Sequence, residues 1–311
     1  MNDPSIRIGT RGSPLALRQA GLVAQRLRGL APERPVEIVP IRTSGDRLAQ
    51  VALGDFGGKG LFVRELEEAL LDGRADLAVH SLKDLPAELP AGLCLAAFPP
   101  RADPRDVLVS RTGGDLSDLP SGAKVGTSSL RRRVLLLSAR RDLQIEAIRG
   151  NVESRLGKLA RGACEALVLA AAGLARLGLT PRNTRPLAPD QFMPAVGQGI
   201  MAVEARAADR QILEILKGVD HQETRWQAEA ERAFLAHLGA TCHTPVAAYC
   251  RAVGGELVLA GLVASVDGRQ VLRGERRGPP TSAPLIGMQL AEELMRQGAR
   301  AILHEIAQGM R

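Results

Sequence analysis

The chain has 311 residues, 45% of them hydrophobic, so it can bury more than one core, and 41 Lys and Arg against 34 Asp and Glu give a formal charge of +7. That excess suits nucleic acid, an anionic membrane or small acids, but one Trp, one Tyr and five Phe offer little for stacking single-stranded nucleic acid. No apolar run is long enough to span a bilayer, and Cys94, Cys164, Cys242 and Cys250 form neither a zinc pattern nor a dense disulfide framework. Small multivalent acids are therefore the expected ligands, with no nucleic acid, no membrane and no metal. Met1-Asn2-Asp3-Pro4 leads into strand-like sequence without a signal peptide's basic, apolar and cleavage regions, so the expected location is the cytoplasm.

Ile6 to Ile8 reads as a strand running into Gly9-Thr10-Arg11-Gly12-Ser13-Pro14, where Ser13 suits a helix N-cap and Pro14 the first helical position. A helix to Leu30, a strand from Val36 to Ile41, a helix from Leu61 to Leu71 and a strand from Leu77 to Val79 follow, a βαβ pattern with a mostly parallel sheet. Between them, Gly54-Asp55-Phe56-Gly57-Gly58-Lys59-Gly60 fails the test for a phosphate loop, because Gly60 stands where the metal-binding hydroxyl should be. It reads either as a plain glycine-rich turn or as a mobile lid carrying Phe56, Lys59 and Phe62. The strand at Leu77 ends in His80-Ser81-Leu82-Lys83-Asp84, which sets a cation beside a carboxylate at a strand end, a good place for catalysis. His80 reads as a packed histidine and stays outside the catalytic set.

After Pro99-Pro100 the alternation begins again, with strands at Asp106 to Ser110, Lys124 to Val125, Gln144 to Ile148 and Ala166 to Leu169. Gly126-Thr127-Ser128-Ser129-Leu130-Arg131-Arg132-Arg133 opens a helix with three arginines, where the helix dipole already supplies positive charge, so this mouth calls for a negative guest. Arg149-Gly150-Asn151-Val152 with Arg155 makes a third basic mouth, capped by Asn151. The repetition of strand-Gly-Thr at Gly9 and Gly126 predicts two similar α/β lobes whose strand ends face a shared cleft. Pro194-Ala195-Val196-Gly197-Gln198-Gly199 leads into a strand from Ile200 that returns to the first lobe, with glycines suited to a hinge. A helix from Glu223 to His237, three alternating runs beyond Pro245 and a helix from Ile286 to Ile306 predict a small α+β domain, an antiparallel sheet with helices on one face. The expected domains are 1–99 with 200–217, 100–199, and 218–311. Cys242 sits in a turn with only His237 and His243 near it in sequence, and so reads by itself as an inert thiol.

Taken together, Thr10-Arg11-x-Ser13-Pro14-Leu15-Ala16, Thr43-x-Gly45-Asp46, Gly57-Gly58-Lys59-Gly60-Leu61-Phe62, Val79-His80-Ser81-x-Lys83-Asp84, Gly126-Thr127-Ser128-Ser129-Leu130-Arg131-Arg132, Arg149-Gly150-Asn151-Val152 and Pro194-Ala195-x-Gly197-Gln198-Gly199 closely resemble the porphobilinogen deaminases. The resemblance implies an α/β fold of two lobes like those of type II periplasmic binding proteins, plus the C-terminal domain, working as a monomer. It implies a transferase that joins four porphobilinogen molecules head to tail with loss of ammonia, on a dipyrromethane cofactor attached through a thioether at Cys242, and releases hydroxymethylbilane. Asp84 is then the catalytic carboxylate. Lys83, Ser129, Arg131, Arg132 and Arg155 hold the cofactor carboxylates, and Arg11, Ser13, Gln19, Arg149 and Arg176 position porphobilinogen or the growing polypyrrole chain. The segment from Leu48 to Lys59 corresponds to the family's flexible active-site loop. The rival readings are a non-catalytic two-lobed binder of an organic polyacid, which leaves Asp84 and Cys242 without a role, and a nucleic-acid binder.

Overall fold

A computed structural model describes residues 5–44, 63–241 and 244–309. The chain divides into two compact units, Met1–Ala102 with Ile200–Arg225, and Asp103–Gly199 with Trp226–Arg311.

The first unit is built on a five-stranded sheet. Strands β1 (Ile6–Arg11), β2 (Val36–Ile41), β3 (Leu77–Ser81), β4 (Leu93–Ala97) and a late strand, Met201–Arg206, stand in the order β2-β1-β3-late strand-β4. β1 runs parallel to β2 and β3, whereas the late strand is antiparallel to both its neighbours. Helix α1 (Pro14–Leu30) starts at Ser13, whose side chain accepts from the Ala16 N–H, and Pro14 fills the first turn, where no N–H is needed. Its buried residues Ala16, Gln19, Ala20, Val23, Ala24 and Leu27 recur every three or four positions and so make one stripe. That stripe packs on Ile6, Ile8, Leu77, Val79 and Val203. Alternation along β3 sends Ala78 to the opposite face, where it meets Leu66, Ala69 and Leu70 of α2 (Arg64–Leu71).

The lobe of the second unit repeats this plan. Strands β5 (Asp106–Ser110), β6 (Lys124–Gly126), β7 (Gln144–Glu146), β8 (Ala166–Ala170) and β9 (Thr184–Pro186) stand in the order β7-β6-β8-β5-β9. β6 is parallel to both neighbours, and β5 is the antiparallel member. The late strand of the first unit, Met201–Arg206, is thus β10, the counterpart of β5. Helices α3 (Leu130–Ala139) and α4 (Val152–Ala160) follow β6 and β7, and α5 (Ala171–Arg176) follows β8 directly. α6 (Arg210–Leu216) belongs to the first unit, and α7 (Gln222–His237) lies in the second from Trp226 onward.

The C-terminal sheet is an antiparallel meander of β11 (Val246–Val253), β12 (Glu256–Ala264) and β13 (Val271–Gly278). One face packs Leu257, Leu259 and Val263 against Phe234 of α7 and Ile286, Leu290 and Leu294 of α8 (Ala283–Leu294). Ala247, Leu262 and Ala264 share the second lobe's core with Leu108, Val125, Val168, Phe192 and Met193, which makes lobe and meander one compact unit. A last helix, α9 (Arg300–Gly309), follows a wide turn in which Gly298 has φ 113°.

The α7–α8 crossing admits no side chain at Gly287, where a Cβ would lie 2.2 Å from the Ala230 carbonyl oxygen and 2.7 Å from the Phe234 nitrogen. Backbone does not yield as a rotamer does. Gly287→Ala is expected to lower unfolding stability by about 1–3 kcal/mol or more in urea titrations, the range of core overpacking. Gly29→Ala, in open space on α1, is expected to raise it by up to about 1 kcal/mol through helix propensity.

Candidate functional site

In the first unit the chemistry gathers where β1 and β3 end. Thr10 is buried and its hydroxyl donates to the Ala16 carbonyl at 3.2 Å, which ties the end of β1 to the first turn of α1. Arg11 and Ser13 lie on either side of Gly12, half-buried. Gln19 is 2% exposed, and its amide donates to the Ser81 hydroxyl at 2.9 Å, so α1 grips the last residue of β3. The chain then turns through a short 3-10 segment, Leu82–Asp84, fixed by the Leu82 N–H donating to the Ile200 carbonyl and the Leu85 N–H donating to the Leu82 carbonyl. Leu82 and Leu85 are buried, Lys83 is half-buried and Asp84 is exposed. Two leucine anchors thus present a cation and a carboxylate from a fixed turn.

His80 lies just behind that turn, buried, with Nε2 3.0 Å from Oε2 of the fully buried Glu204, without the alignment of a hydrogen bond. The contact joins β3 to β10 and is a packed arrangement. Burial, reinforced by Glu204, pushes the nearby Glu67 carboxyl above its usual range.

In the second unit the corresponding strand end is β6. Gly126 leaves no room for a Cβ, which would come within 2.6 Å of Ile148 and Leu167 side-chain carbons. The following hydroxyls all have structural partners: Ser128 donates to the Ile148 carbonyl at 3.0 Å, the Ser129 N–H donates to the Thr127 hydroxyl at 3.2 Å, and the Ser129 side chain caps α3 by accepting from the Arg132 N–H. Arg131 and Arg132 do not project from this mouth. They are 5% and 6% exposed and converge on Asp106, the fully buried first residue of β5. Arg131 Nη2 donates to Asp106 Oδ2 at 2.8 Å, and Arg132 donates to Oδ1 through Nε at 3.1 Å and Nη2 at 2.7 Å. Their other arms reach the Met193 and Val168 carbonyls. The negative guest expected for this helix mouth is therefore in part the protein's own carboxylate.

Burial alone would raise the Asp106 carboxyl, but the two guanidiniums overcome it and hold it down at about 2. Gln198, 1% exposed, adds a bond from its amide to Asp106 Oδ1 at 3.0 Å and another to the Pro104 carbonyl at 2.7 Å. The glycines on either side, Gly197 and Gly199, have φ 72° and 88°, left-handed values that favour glycine. Among the described residues no group of three His, Cys, Asp or Glu could hold a metal ion.

The third basic mouth is more open. Asn151 caps α4 by accepting from the Ser154 N–H at 2.8 Å, and Gly150 has φ 113°. Arg149 is exposed, while half-buried Arg155 donates from Nε to the Gly150 carbonyl at 2.8 Å. Arg176, on α5 at the end of β8, donates to the Gly199 carbonyl at 2.6 Å, and burial brings its pKa down to about 10. Cys242, His243 and the segment from Leu48 to Lys59 lie outside the described residues. Sequence reasoning missed Asp106 and Glu204. An acid opening the apolar run Val107-Leu108-Val109 was the available signal for the first, since a buried carboxylate needs cationic partners.

These strand ends gather arginines, a lysine and carboxylates, the groups by which proteins pair with charged organic ligands. Comparison with known proteins narrows that class. Residues 6–214 match the family model described as porphobilinogen deaminase, dipyromethane cofactor binding domain, and residues 226–296 match that of the porphobilinogen deaminase C-terminal domain. A porphobilinogen deaminase of Syntrophobacter fumaroxidans is 48% identical over 306 residues, 98% of this chain and 99% of that protein. Similar solved structures include the aliphatic sulphonate binding protein SsuA of Escherichia coli, 19% identical, with TM-score 0.39 over 75% of this chain and 70% of that one. Another is a YaeC-family lipoprotein of Enterococcus faecalis, 15% identical, with TM-score 0.43 over 74% of this chain and 97% of that one. The chain belongs to the porphobilinogen deaminase family. It is a transferase of tetrapyrrole biosynthesis that works with a dipyrromethane cofactor, and the reading as a non-catalytic polyacid binder is set aside.

The Asp106 cluster has a pH signature. Its folded pKa of about 2 lies below the ordinary value of 3.8, so its stabilisation is complete above that value and is lost as pH falls through about 2. The loss amounts to about 2 kcal/mol. Urea unfolding across this window is expected to show that decline in wild type and a shallower one in Asp106→Asn, which starts from lower stability at neutral pH.

Proposed function

We propose that Asp84 is the catalytic carboxylate with which this enzyme joins four porphobilinogen molecules head to tail and releases hydroxymethylbilane. The observation that carries this reading is the Leu82–Asp84 turn, which exposes Asp84 while Leu82, Leu85 and the Gln19–Ser81 bond hold its frame. From a turn held in this way, Asp84 accepts a pyrrole N–H, stabilises the positive charge that develops on the ring as ammonia departs, and assists the proton transfers that follow.

The residues of the second unit suit a cofactor bearing carboxylates. Asp106, Arg131 and Arg132 together carry one uncompensated positive charge, and Arg131 Nε is buried without a hydrogen-bond partner. The dipyrromethane supplies the primer onto which rings are joined. Lys83, Ser129, Arg131, Arg132 and Arg155 hold its carboxylates, and Cys242 carries it as a thioether. Arg11, Ser13, Gln19, Arg149 and Arg176 position porphobilinogen and the growing chain, Gln19 acting through Ser81. Arginine suits this work because its planar fork pairs a carboxylate through two donors. A division into domains 1–99 with 200–217, 100–199, and 218–311 follows the three separate sheets, the second and third of these domains sharing one core. The enzyme is read as a cytoplasmic monomer that engages neither nucleic acid nor membrane; among the described residues no helix is long and apolar enough to cross a bilayer.

Asp84→Ala is expected to retain fold and cofactor while losing turnover by roughly three orders of magnitude or more; near-normal kcat would remove Asp84 from the mechanism. Intact mass should show a dipyrromethane-sized increment, positive in an acid aldehyde test, in wild type but not in Cys242→Ser. An increment kept by the serine variant would move the attachment elsewhere.

A further inference from the structure

Three separate segments meet at one carboxylate: the first turn of α3 through Arg131 and Arg132, the start of β5 through Asp106 itself, and the turn before β10 through Gln198. All three nitrogens of the Arg132 guanidinium already donate to internal acceptors, two of the bonds going to Asp106 Oδ1 and one to the Val168 carbonyl. Arg131 spends Nη1 on Met193 and Nη2 on Asp106, and its Nε is left buried with no acceptor. Two cations and one anion leave a net charge of +1. The cluster is therefore short of one negative charge and one acceptor, two deficits that a single carboxylate removes.

We propose that Asp106 is a positioning residue for the cofactor site: it locks the Arg131 and Arg132 guanidiniums in place beneath the N-terminus of α3 and sets their joint charge to receive one ligand carboxylate. The proposal rests on the assignment of Arg131 and Arg132 to the cofactor carboxylates. It adds that the two arginines serve as a fixed, oriented charge rather than as mobile arms. The Ser129-capped helix mouth above them contributes its own N–H groups and dipole in the same sense. Gln198 extends the lock to the Gly197–Gly199 turn, so that turn and the arginine pair share one acceptor.

Two variants separate positioning from simple charge neutralisation. Asp106→Asn keeps the shape and removes the charge; Asp106→Glu keeps the charge and lengthens the side chain by one methylene, which displaces both guanidiniums. Each full-length protein is incubated with porphobilinogen, and the dipyrromethane increment is read by intact mass beside kcat, KM and the circular dichroism melt. The Glu variant is expected to fold with a lowered melting temperature, as an extra buried methylene requires, and to carry the increment in about a tenth or less of its molecules, or to show a roughly tenfold lower kcat in those that carry it. The Asn variant is expected to lose cofactor occupancy at least as far, and if it does not fold, the Glu variant decides the matter. Full occupancy and wild-type kcat in Asp106→Glu would reduce Asp106 to a neutralising charge and overturn the proposal. Arg132→Gln is the control for the underlying assignment. If it keeps both cofactor and turnover, that assignment fails and the proposal with it. If it loses them while Asp106→Glu does not, the proposal alone fails.

Discussion

The carboxylate of Asp106 decides whether the first turn of α3 can keep two guanidiniums in the interior. Burying a charge is tolerable only when partners replace the lost water, and here the replacement is mutual: two cations hold one anion ionised, while backbone carbonyls of Met193 and Val168 take one further donor from each arginine and only Arg131 Nε is left without an acceptor. The bonds join β5, α3 and β8 around one point of the second lobe. The cluster remains one negative charge short, which matches a ligand made of carboxylates.

Both lobes share a topology that explains why the chemistry falls where it does. In each, a parallel strand leads into a helix capped by serine: β1 into α1 and β6 into α3. In each, the strand that follows the passage from the other lobe, β5 or β10, lies antiparallel between a central strand and an edge. β3 and β8 are equivalent central strands, and beyond their ends come the Lys83–Asp84 turn and the helix carrying Arg176. Equivalent strands thus lead into different groups, a lysine and a carboxylate directly after β3 and an arginine at the end of the helix that follows β8.

Exposed polar groups and their buried supports are separately arranged. Asp84 meets solvent, but the residues that hold its turn, Leu82, Leu85 and Gln19, are buried. Arg149 is likewise exposed beside the Asn151 cap, whereas Arg131 and Arg132 are interior. Arg11, Arg131, Arg132, Arg149, Arg155 and Arg176 therefore divide into one exposed group, three half-buried groups and a buried pair, a division that residue type alone does not give.

The sequence alone determined much of this protein. Ser13-Pro14, Ser129 and Asn151 marked three helix starts, because N-caps are local chemistry written within four residues, and the βαβ alternation gave both lobes. It placed Lys83 and Asp84 at the end of a central strand, since a buried apolar run followed by charge has few other readings. It did not reveal that Arg131 and Arg132 turn inward, because their counterion Asp106 lies 25 and 26 residues away in the chain, and a pairing across a sheet leaves no periodic trace. Nor did it show that the meander's second face completes the core of the second lobe, which depends on Leu262 and Ala264 meeting Leu108 and Val125. Local caps and periodicities are fixed by neighbouring residues, whereas the partner of a buried charge and the cover of a second sheet face are decided only when distant segments compete for the same interior.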